Sequence, residues 1–279
     1  MTRLHLHLVS DSTGETLESV AKAGCARFEG VEAIKHFWPM VRSEGHLDRV
    51  IDEIAKRPGL VLYTLVASPV RAKLEDRCHA MGLPIVSVLD PTIDALSQLL
   101  GQVATTRPGR QHLMDDAYFR RVDAINYTMA HDDGQGADNW EEADIILAGV
   151  SRSSKTPTAI YLANRGYKTA NMPVVPQSPP PPSLFRLKHP LIVGLTTSPA
   201  RLVEIRRNRL LTLGQTPDTD YVELDRVTAE VAYARRLFAD HDVTVIDVTR
   251  RSIEETAAAI INLVQARQDG RDAGATGAA

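Results

Sequence analysis

The sequence predicts an α/β protein in which an N-terminal parallel α/β domain is followed by a second α/β domain. Over the first hundred residues, short apolar runs alternate with amphipathic stretches, a pattern typical of strands joined by helices. The same alternation starts again at Ala143, after an irregular stretch. A chain of 279 residues has room for about two domains of roughly 100–200 residues each.

Composition and charge exclude several classes of protein. Lys and Arg number 32 and Asp and Glu number 35, and the resulting net charge of −3 argues against binding to nucleic acid or anionic lipid through bulk electrostatics. No apolar run approaches the roughly 20 residues that span a bilayer, and the N-terminus lacks the apolar segment of a signal peptide. Cys25 and Cys78 are too few for a disulfide framework or a cysteine metal site. We therefore expect a globular cytoplasmic protein that binds neither nucleic acid nor membrane.

The N-terminal domain is predicted over residues 1–101. Residues 4–9 read as a strand and residues 10–14 as a polar turn, and the apolar residues that follow recur at helical spacing, with Ser12 or Thr13 as the expected helix cap. The alternation then predicts strand 34–41, helix 46–57, strand 60–66, helix 69–81, strand 84–89 and helix 92–101. Strands joined by helices of this length form parallel βαβ units.

A connector is predicted over residues 102–142, because its first part shows no clean periodicity. Its second part reads as a helix that runs into an acidic loop containing Asp132 and Asp133. At the other end of the chain, residues 268–279 are rich in Gly and Ala and are expected to form a disordered tail.

The second domain is predicted over residues 143–267. It opens with the nearly all-apolar run 144–148, as expected of a strand buried on both faces, followed by helix 156–165 with Gly166 as its C-terminal cap. The proline-rich segment 176–182 predicts a stiff, extended surface loop. The remaining predicted elements are strand 169–175, strand 191–195, helix 199–212, helix 220–239, strand 243–248 and helix 252–267.

The sharpest feature is the sequence GVSRSSKT, residues 149–156, between a buried strand and a helix. It matches the Walker A pattern GxxxxGK(S/T) except that Ser154 replaces the second glycine, and it predicts a P-loop kinase-like fold for the second domain. Backbone N–H groups at a helix N-terminus form an anion-binding nest. Lys155 would lie along the phosphates, and the Thr156 hydroxyl would hold Mg²⁺. The residues expected to bind phosphate are Gly149, Val150, Ser151, Arg152, Ser153, Ser154, Lys155 and Thr156.

The missing glycine leaves an alternative open. Because only glycine adopts positive φ angles freely, Ser154 puts the backbone angles of the loop in question. An ordinary strand, turn and helix with a chance lysine would fit the same letters. The exchange removes neither the Lys155 ammonium nor the Thr156 hydroxyl.

Four stretches, in consistent order along residues 4–267, carry a resemblance to a known family. They are residues 10–16 (SDSTGET), 125–134 (INYTMAHDDG), 149–163 (GVSRSSKTPTAIYLA), and 196–202 (TTSPARL) with Ile205 and Arg206. Together they resemble the regulatory proteins of pyruvate, phosphate dikinase, whose sister proteins regulate phosphoenolpyruvate synthase. Ser154-Lys155-Thr156 looks closer to the dikinase branch, because the synthase branch typically has Gly at the first of these positions.

The resemblance implies a bifunctional phosphotransferase. Such a protein transfers the β-phosphoryl group of ADP to a threonine of the dikinase, which inactivates that enzyme, and removes the phosphate with inorganic phosphate, which releases pyrophosphate. ADP, inorganic phosphate and Mg²⁺ would then be the small molecules involved, and the dikinase would be the partner. The alternatives are the same chemistry on phosphoenolpyruvate synthase, a P-loop kinase of a small metabolite, and a nucleotide-sensing module without catalysis. The oligomeric state stays open, with a homodimer as one option.

Three residues are the candidates for catalysis. Lys155 would neutralise the transferred phosphoryl group, and Asp133, chosen over Asp132, would accept the threonine proton or hold Mg²⁺ through water. Arg201, at the start of a predicted helix, would reach the phosphates with its planar guanidinium. The alternative for the aspartates is a polar turn. For Arg201, and equally for Arg206, the alternative is a solvated helix face.

Three further features have a structural and a functional interpretation. Arg207 and Arg209 are better explained as part of a solvated helix face. The turn of residues 10–14 would bind phosphate or a partner, or would only cap the helix that follows. Asp247 ends an apolar strand, as a Walker B aspartate does, but any strand that runs into a helix cap looks the same. Its place late in the chain fits a wall beside the adenine as well as it fits a metal ligand.

Overall fold

The computed structural model describes residues 2–66, 69–105, 116–214, 216 and 219–276. These residues form two compact units, Met1–Leu113 and Met114–Ala279. Each unit contains one four-stranded sheet, and every pairing between the strands is parallel. The predicted α/β class with two parallel layers is therefore confirmed.

In the first unit, helices alternate with the strands of a sheet whose order is β2-β1-β3-β4. The elements are β1 (Thr2–Ser10), α1 (Glu15–Cys25), β2 (Val31–Trp38), α2 (Glu44–Lys56), β3 (Leu60–Thr64), α3 (Pro69–Ala80), β4 (Ile85–Ser87) and α4 (Asp90–Leu100). The central strand β1 is buried on both faces. Its Val9 belongs to the core that includes α2 and α3, and its Leu6 and Leu8 pack against Leu17 and Ala21 of α1.

The second unit repeats this strand order as β6-β5-β7-β8. Its elements are α5 (Asp116–Ala130), β5 (Ile145–Gly149), α6 (Lys155–Ala163), β6 (Thr169–Pro173), β7 (Leu191–Thr196), α7 (Pro199–Thr212), α8 (Leu224–Asp240), β8 (Thr244–Asp247) and α9 (Ile253–Thr276), with short 3₁₀ helices at Ala137–Glu142, Leu184–Arg186 and Asp220–Val222. Strand β5 is buried along its whole length. Parallel strands end at the same edge of a sheet, so the loops after β5, β6 and β7 meet there.

Helices cover both faces of the second sheet. On one face, α7 and α8 pack through Leu202, Val227 and Phe238, and on the other, α6 and α9 pack through Leu162 and Ile260. In the described part of the chain, no helix combines the length and the apolar character that a membrane span requires.

The structure differs from the sequence-based expectation at both ends of the second domain. The helix predicted inside the 102–142 connector is α5, and it belongs to the second unit because Tyr127 packs with Trp140, Ile146 and Ala170. The tail predicted to be disordered from residue 268 continues α9 as far as Thr276. Extending an existing helix adds a backbone hydrogen bond for each residue ordered, which is easier than starting a new helix.

Three histidine rings stack across β1 and β2 in the first unit. The ring of His36 lies 4.7 Å from that of His7 and 5.1 Å from that of His5, measured between centroids. His7 Nε2 donates to the Arg57 carbonyl oxygen at 2.9 Å, so its Nδ1 is the acceptor for Trp38 Nε1 at 3.3 Å. Burial lowers the pKa of His7 and of His36 below 6.5, and the neighbouring histidines lower both further.

We predict that the first unit loses stability as the pH falls below about 6.5. An unfolded histidine has a pKa near 6.5, so below that pH the unfolded chain binds more protons than the folded one. For His7 the free energy of unfolding then falls by at most about 1.4 kcal/mol per pH unit. Urea unfolding at pH 7.5, 6.5 and 5.5 measures this slope. His36→Gln should make the slope shallower, and an unchanged slope would contradict the prediction.

Candidate active site

The loop of residues 149–156 lies at the carboxyl edge of the second sheet, where β5 ends at Gly149 and α6 begins at Lys155. A Cβ atom on Gly149 would lie 2.6 Å from the Leu195 carbonyl oxygen and 2.7 Å from Ser153 Oγ, so only glycine fits there. Ser154 has φ 63° and ψ 19°, in the left-handed region that a glycine would enter freely. The backbone angles that the sequence left in question are therefore left-handed at Ser154.

Hydrogen bonds within the loop hold Lys155 at its base. The carbonyl oxygen of Val150 accepts from Ser153 Oγ at 2.9 Å and from Lys155 Nζ at 3.0 Å. Lys155 is 5 % exposed. Burial lowers its pKa to about 8, against the opposing effect of Asp133 and Asp132. A buried ammonium whose hydrogen-bond acceptor is a neutral carbonyl is well suited to bind an anion.

A cavity of about 290 Å³ opens over this loop. Its walls combine charged side chains of both signs with apolar side chains from the end of β6 and from α7. The lining residues are Asp133, Ser151, Arg152, Ser154, Lys155, Thr156, Pro157, Pro173 and Ile205. With two cationic side chains and one carboxylate facing the same space, the cavity can hold a multiply charged anion beside a group that accepts a proton.

The two adjacent aspartates after α5 have different surroundings. Thr156 Oγ1 donates to Asp132 Oδ1 at 3.1 Å. Asn171 Nδ2, from β6, donates to the same carboxylate and also lies 2.8 Å from Thr156 Oγ1. Asp133, with φ 49°, is exposed and lines the cavity. The structure therefore separates a carboxylate bound to the Thr156 hydroxyl from one that faces the cavity.

The oxygens around Thr156 fit a hard divalent cation. Mg²⁺ is usually bound by one or two carboxylates together with phosphate oxygens and water. Asp132 and Thr156 supply such oxygens, and the buried Asn171 Oδ1 has no hydrogen-bond partner among the described residues. Within those residues, no group of three or more His, Cys, Asp or Glu side chains could hold a metal by itself. A cation here would take its remaining ligands from a bound phosphate and from water.

Arg201 and Arg206, the two arginines of α7 that the sequence analysis considered as phosphate ligands, lie in different environments. Arg201 is half exposed, pairs with Glu204 at 2.7 Å and is not among the residues that line the cavity, so its predicted contact with phosphates stays a prediction. Arg206 is 1 % exposed. It is thus neither part of a solvated face nor a cavity residue, the two interpretations that the sequence left open.

Arg206 contacts the 149–156 loop but does not line the cavity. Its Nη2 donates to Glu230 at 2.6 Å and to the Ser151 carbonyl oxygen at 3.3 Å. Its Nη1 donates to the Tyr221 carbonyl oxygen at 3.1 Å, and its guanidinium lies 4.5 Å from the centroid of the Tyr221 ring. Tyr221 OH in turn lies 3.2 Å from Ser151 Oγ. An ion pair between the buried Arg206 and the partly exposed Glu230 therefore joins α7 and α8, and Arg206 connects the pair to the loop.

The polar turn of residues 10–14 hydrogen-bonds to itself, to the segment 40–42 that follows β2, and to the end of β3 and the residues after it. Ser10 Oγ accepts from the Ser12 N–H at 3.1 Å, and Asp11 Oδ2 accepts from the Val66 N–H at 3.0 Å. The N-cap of α1 is Gly14, so the predicted capping by Ser12 or Thr13 is wrong. Glycine suits the position because its φ is 80°.

Asp247 closes a turn after β8. Its Oδ1 accepts from the Thr249 N–H at 2.8 Å, and its Oδ2 lies 3.8 Å from Arg235 Nη2. It is not among the residues that line the cavity. These contacts support the strand-end interpretation of Asp247 over that of a metal ligand.

We predict that Ser154→Gly keeps the loop intact. Glycine removes the strain of the left-handed conformation, which stabilises the folded state, but it also increases the conformational entropy of the unfolded chain, which favours unfolding. Because the two effects oppose each other, the free energy of unfolding should change by less than about 1 kcal/mol. Ser154→Val, β-branched at the same φ, should lose roughly 1–3 kcal/mol. Urea unfolding of both variants measures the difference. Equal stability of the two would contradict the left-handed geometry.

We predict that Glu230→Ala destabilises the second unit by about 3 kcal/mol. The variant leaves the Arg206 cation buried without its carboxylate, and the lower end of the range for buried pairs applies because Glu230 is 30 % exposed. Glu204→Ala, which breaks the exposed pair with Arg201, is the matched control and should lose less than about 1 kcal/mol. Similar losses in the two variants, measured by urea unfolding, would overturn the structural role of Arg206.

Comparison with known proteins identifies relatives along nearly the whole chain. A protein of Rhizorhabdus wittichii is 72 % identical over 267 residues, which cover 96 % of this chain and 97 % of the relative. Proteins of Novosphingobium aromaticivorans and Caulobacter vibrioides are 67 % and 54 % identical, covering 96 % and 94 % of this chain and 95 % and 84 % of the relatives. Each carries a provisional name as a pyruvate, phosphate dikinase regulatory protein.

Among solved structures, a periplasmic solute-binding protein of Actinobacillus succinogenes with bound D-allose aligns over 96 % of this chain and 92 % of its own, at 11 % identity. The TM-score of 0.23 is too low to support an argument about fold. The model of the kinase/pyrophosphorylase family matches residues 6–261, a span that includes the second sheet, the first sheet except for the start of β1, and the whole candidate site. The chain therefore belongs to the kinase/pyrophosphorylase family.

Proposed function

We propose that this protein regulates pyruvate, phosphate dikinase in both directions. With ADP it phosphorylates a threonine of the dikinase and inactivates it, and with inorganic phosphate it removes that group, releases pyrophosphate and reactivates the enzyme. The observation that carries the proposal is the single cavity in which Lys155, Arg152 and Asp133 meet. The family membership and the provisional names of the relatives support the choice of chemistry and of partner.

In the forward step the threonine hydroxyl attacks the β-phosphorus of ADP. The bond from the β-phosphorus to the oxygen that bridges it to the α-phosphorus breaks, AMP leaves with that oxygen, and the hydroxyl proton passes to Asp133. Phosphoryl transfer needs positioning and charge neutralisation more than covalent catalysis. The buried Lys155 ammonium and the side chain of Arg152 supply positive charge beside the transferred group.

In the removal step, which uses inorganic phosphate and does not re-form ADP, an oxygen of that phosphate attacks the phosphorus of phosphothreonine. The bond to the threonine oxygen breaks, that oxygen takes up a proton from Asp133, and pyrophosphate leaves. The same cations face the same phosphorus in both directions, so we assign both activities to one site. When bound, Mg²⁺ would neutralise further charge on the phosphates, and Asp132 and Thr156 are the residues that would hold it.

Three alternative functions differ from this proposal in the partner, in the nucleotide used, or in whether turnover occurs. A protein that acts on phosphoenolpyruvate synthase would use the same cavity and differ only in its partner. A kinase of a small metabolite would use ATP and would leave the first unit without a role in substrate recognition. A nucleotide sensor would bind nucleotide without turnover. We place the reaction in the cytoplasm, the compartment in which the dikinase substrate is expected.

The test is transfer of label to purified dikinase, with ADP labelled at the β-phosphate compared with ATP labelled at the γ-phosphate and free of ADP. Label on threonine from ADP alone is the expected result. Label from ATP alone would overturn the proposal, and label from neither would exclude the dikinase as the substrate. Phosphate-dependent release of pyrophosphate from phosphorylated dikinase tests the second activity.

Point variants test the assignment to one site. Lys155→Met and Asp133→Asn should each lower both activities by at least about 100-fold, the scale expected when a charge-stabilising group or a general base is lost. Arg207→Gln, on the exposed part of α7, is the control and should leave both rates unchanged. Loss of only one activity in Lys155→Met would contradict a shared site.

A further inference from the structure

Asn171 in β6 holds the acidic loop, residues 131–134, through both of its backbone polar groups. Its N–H donates to the His131 carbonyl oxygen at 2.9 Å, and its carbonyl oxygen accepts from the Gly134 N–H at 2.7 Å. These two bonds flank Asp132 and Asp133. The loop therefore follows the edge of β6 and does not extend freely from the end of α5.

The side chain of Asn171 reaches from the acidic loop to the 149–156 loop. Its Nδ2 donates to Asp132 Oδ1 and to Thr156 Oγ1, the latter at 2.8 Å. The residue is 1 % exposed, and its Oδ1 has no hydrogen-bond partner among the described residues. A buried amide oxygen is seldom left unbonded in a folded protein, so a group absent from these contacts is expected to meet it.

We propose that Asn171 is a positioning residue that assigns different tasks to the two adjacent aspartates. It fixes Asp132 against the Thr156 hydroxyl, and this carboxylate and hydroxyl are the protein's ligands of a divalent cation. The buried Oδ1 of Asn171 orients a water ligand of that cation. Asp133 is thereby left facing the cavity as the proton acceptor. The part concerning proton transfer rests on the function proposed above, whereas the part concerning the cation does not.

The amide is chemically suited to this task. It offers two N–H donors and one oxygen acceptor, so it can donate to the carboxylate and to the hydroxyl and still present an oxygen. Leucine has a similar volume and no polar atom. Aspartate has a similar shape, but it can donate to neither oxygen when ionised and would bring a second negative charge beside Asp132.

The first test measures cation binding without turnover. Mn²⁺ is the probe, and its free concentration is followed by electron paramagnetic resonance, alone and with ADP. In Asn171→Leu the affinity for Mn²⁺ in the presence of ADP should fall by about 10–100-fold, the usual effect of losing a residue that orients metal ligands. ADP affinity without metal should change less than twofold. Unchanged Mn²⁺ affinity would overturn the proposal.

Two further variants separate positioning from a general effect on folding. Asn164→Leu removes an exposed asparagine whose amide donates to the Ile160 carbonyl oxygen of its own helix, and it should bind Mn²⁺ as the wild type does. Asn171→Asp should unfold at a lower temperature than the wild type without metal, because two carboxylates face each other. Mn²⁺ should raise that temperature more than it does for the wild type. Equal shifts would assign Asn171 a structural role only.

The outcomes for the two proposals are distinguishable. Altered Mn²⁺ binding in Asn171→Leu together with no transfer to the dikinase would uphold the cation site and reject the proposed partner. Efficient transfer from ADP together with wild-type Mn²⁺ binding in Asn171→Leu would uphold the partner and reject the role of Asn171.

Discussion

Two buried cations, Lys155 in the loop that follows β5 and Arg206 bonded to that loop from α7, are compensated in different ways. Burying a charge is unfavourable unless an opposite charge or hydrogen bonds compensate for it. Arg206 is compensated by Glu230 and by two backbone carbonyl oxygens, so it can serve as a fixed support. The close partner of Lys155 is a neutral carbonyl, with the two aspartates acting from farther away. An anion in the cavity would complete the environment of Lys155, whereas the charge of Arg206 is already paired with Glu230 and only its Nε has no hydrogen-bond partner among the described residues.

The two units share a strand order but differ at the equivalent loop. After β1, the side chains of Ser10 and Asp11 accept hydrogen bonds from the backbone N–H groups of Ser12 and Val66, so the turn is held by its own residues and by the segment that follows β3. After β5, the corresponding segment carries Arg152 and Lys155 and opens into a cavity. The same topology thus presents loops at the carboxyl edge of both sheets, and side-chain chemistry decides which of them forms a candidate site.

The sequence predicted most of the fold because its local patterns are strong. Alternating apolar and amphipathic segments indicated parallel βαβ units, and the buried run before Gly149 indicated the strand that leads into the loop. The limits of the second unit were less well predicted. The connector showed no clean periodicity, and its assignment depends on the packing of Tyr127 against residues that follow it in the chain, which no local pattern reports.

What the sequence by itself determined is the order of the elements, the loop with Lys155 and Thr156, and, through the resemblance, the family. Only the tertiary structure decided that Arg206 is buried, that Asp132 meets Thr156 and that Asn171 joins the two. These partners lie 15 to 39 residues apart on different elements, and hydrogen bonding across that separation depends on which strands become neighbours. Periodicity reports which face of an element is apolar. It does not report what that face will contact, because that is decided when the sheet forms.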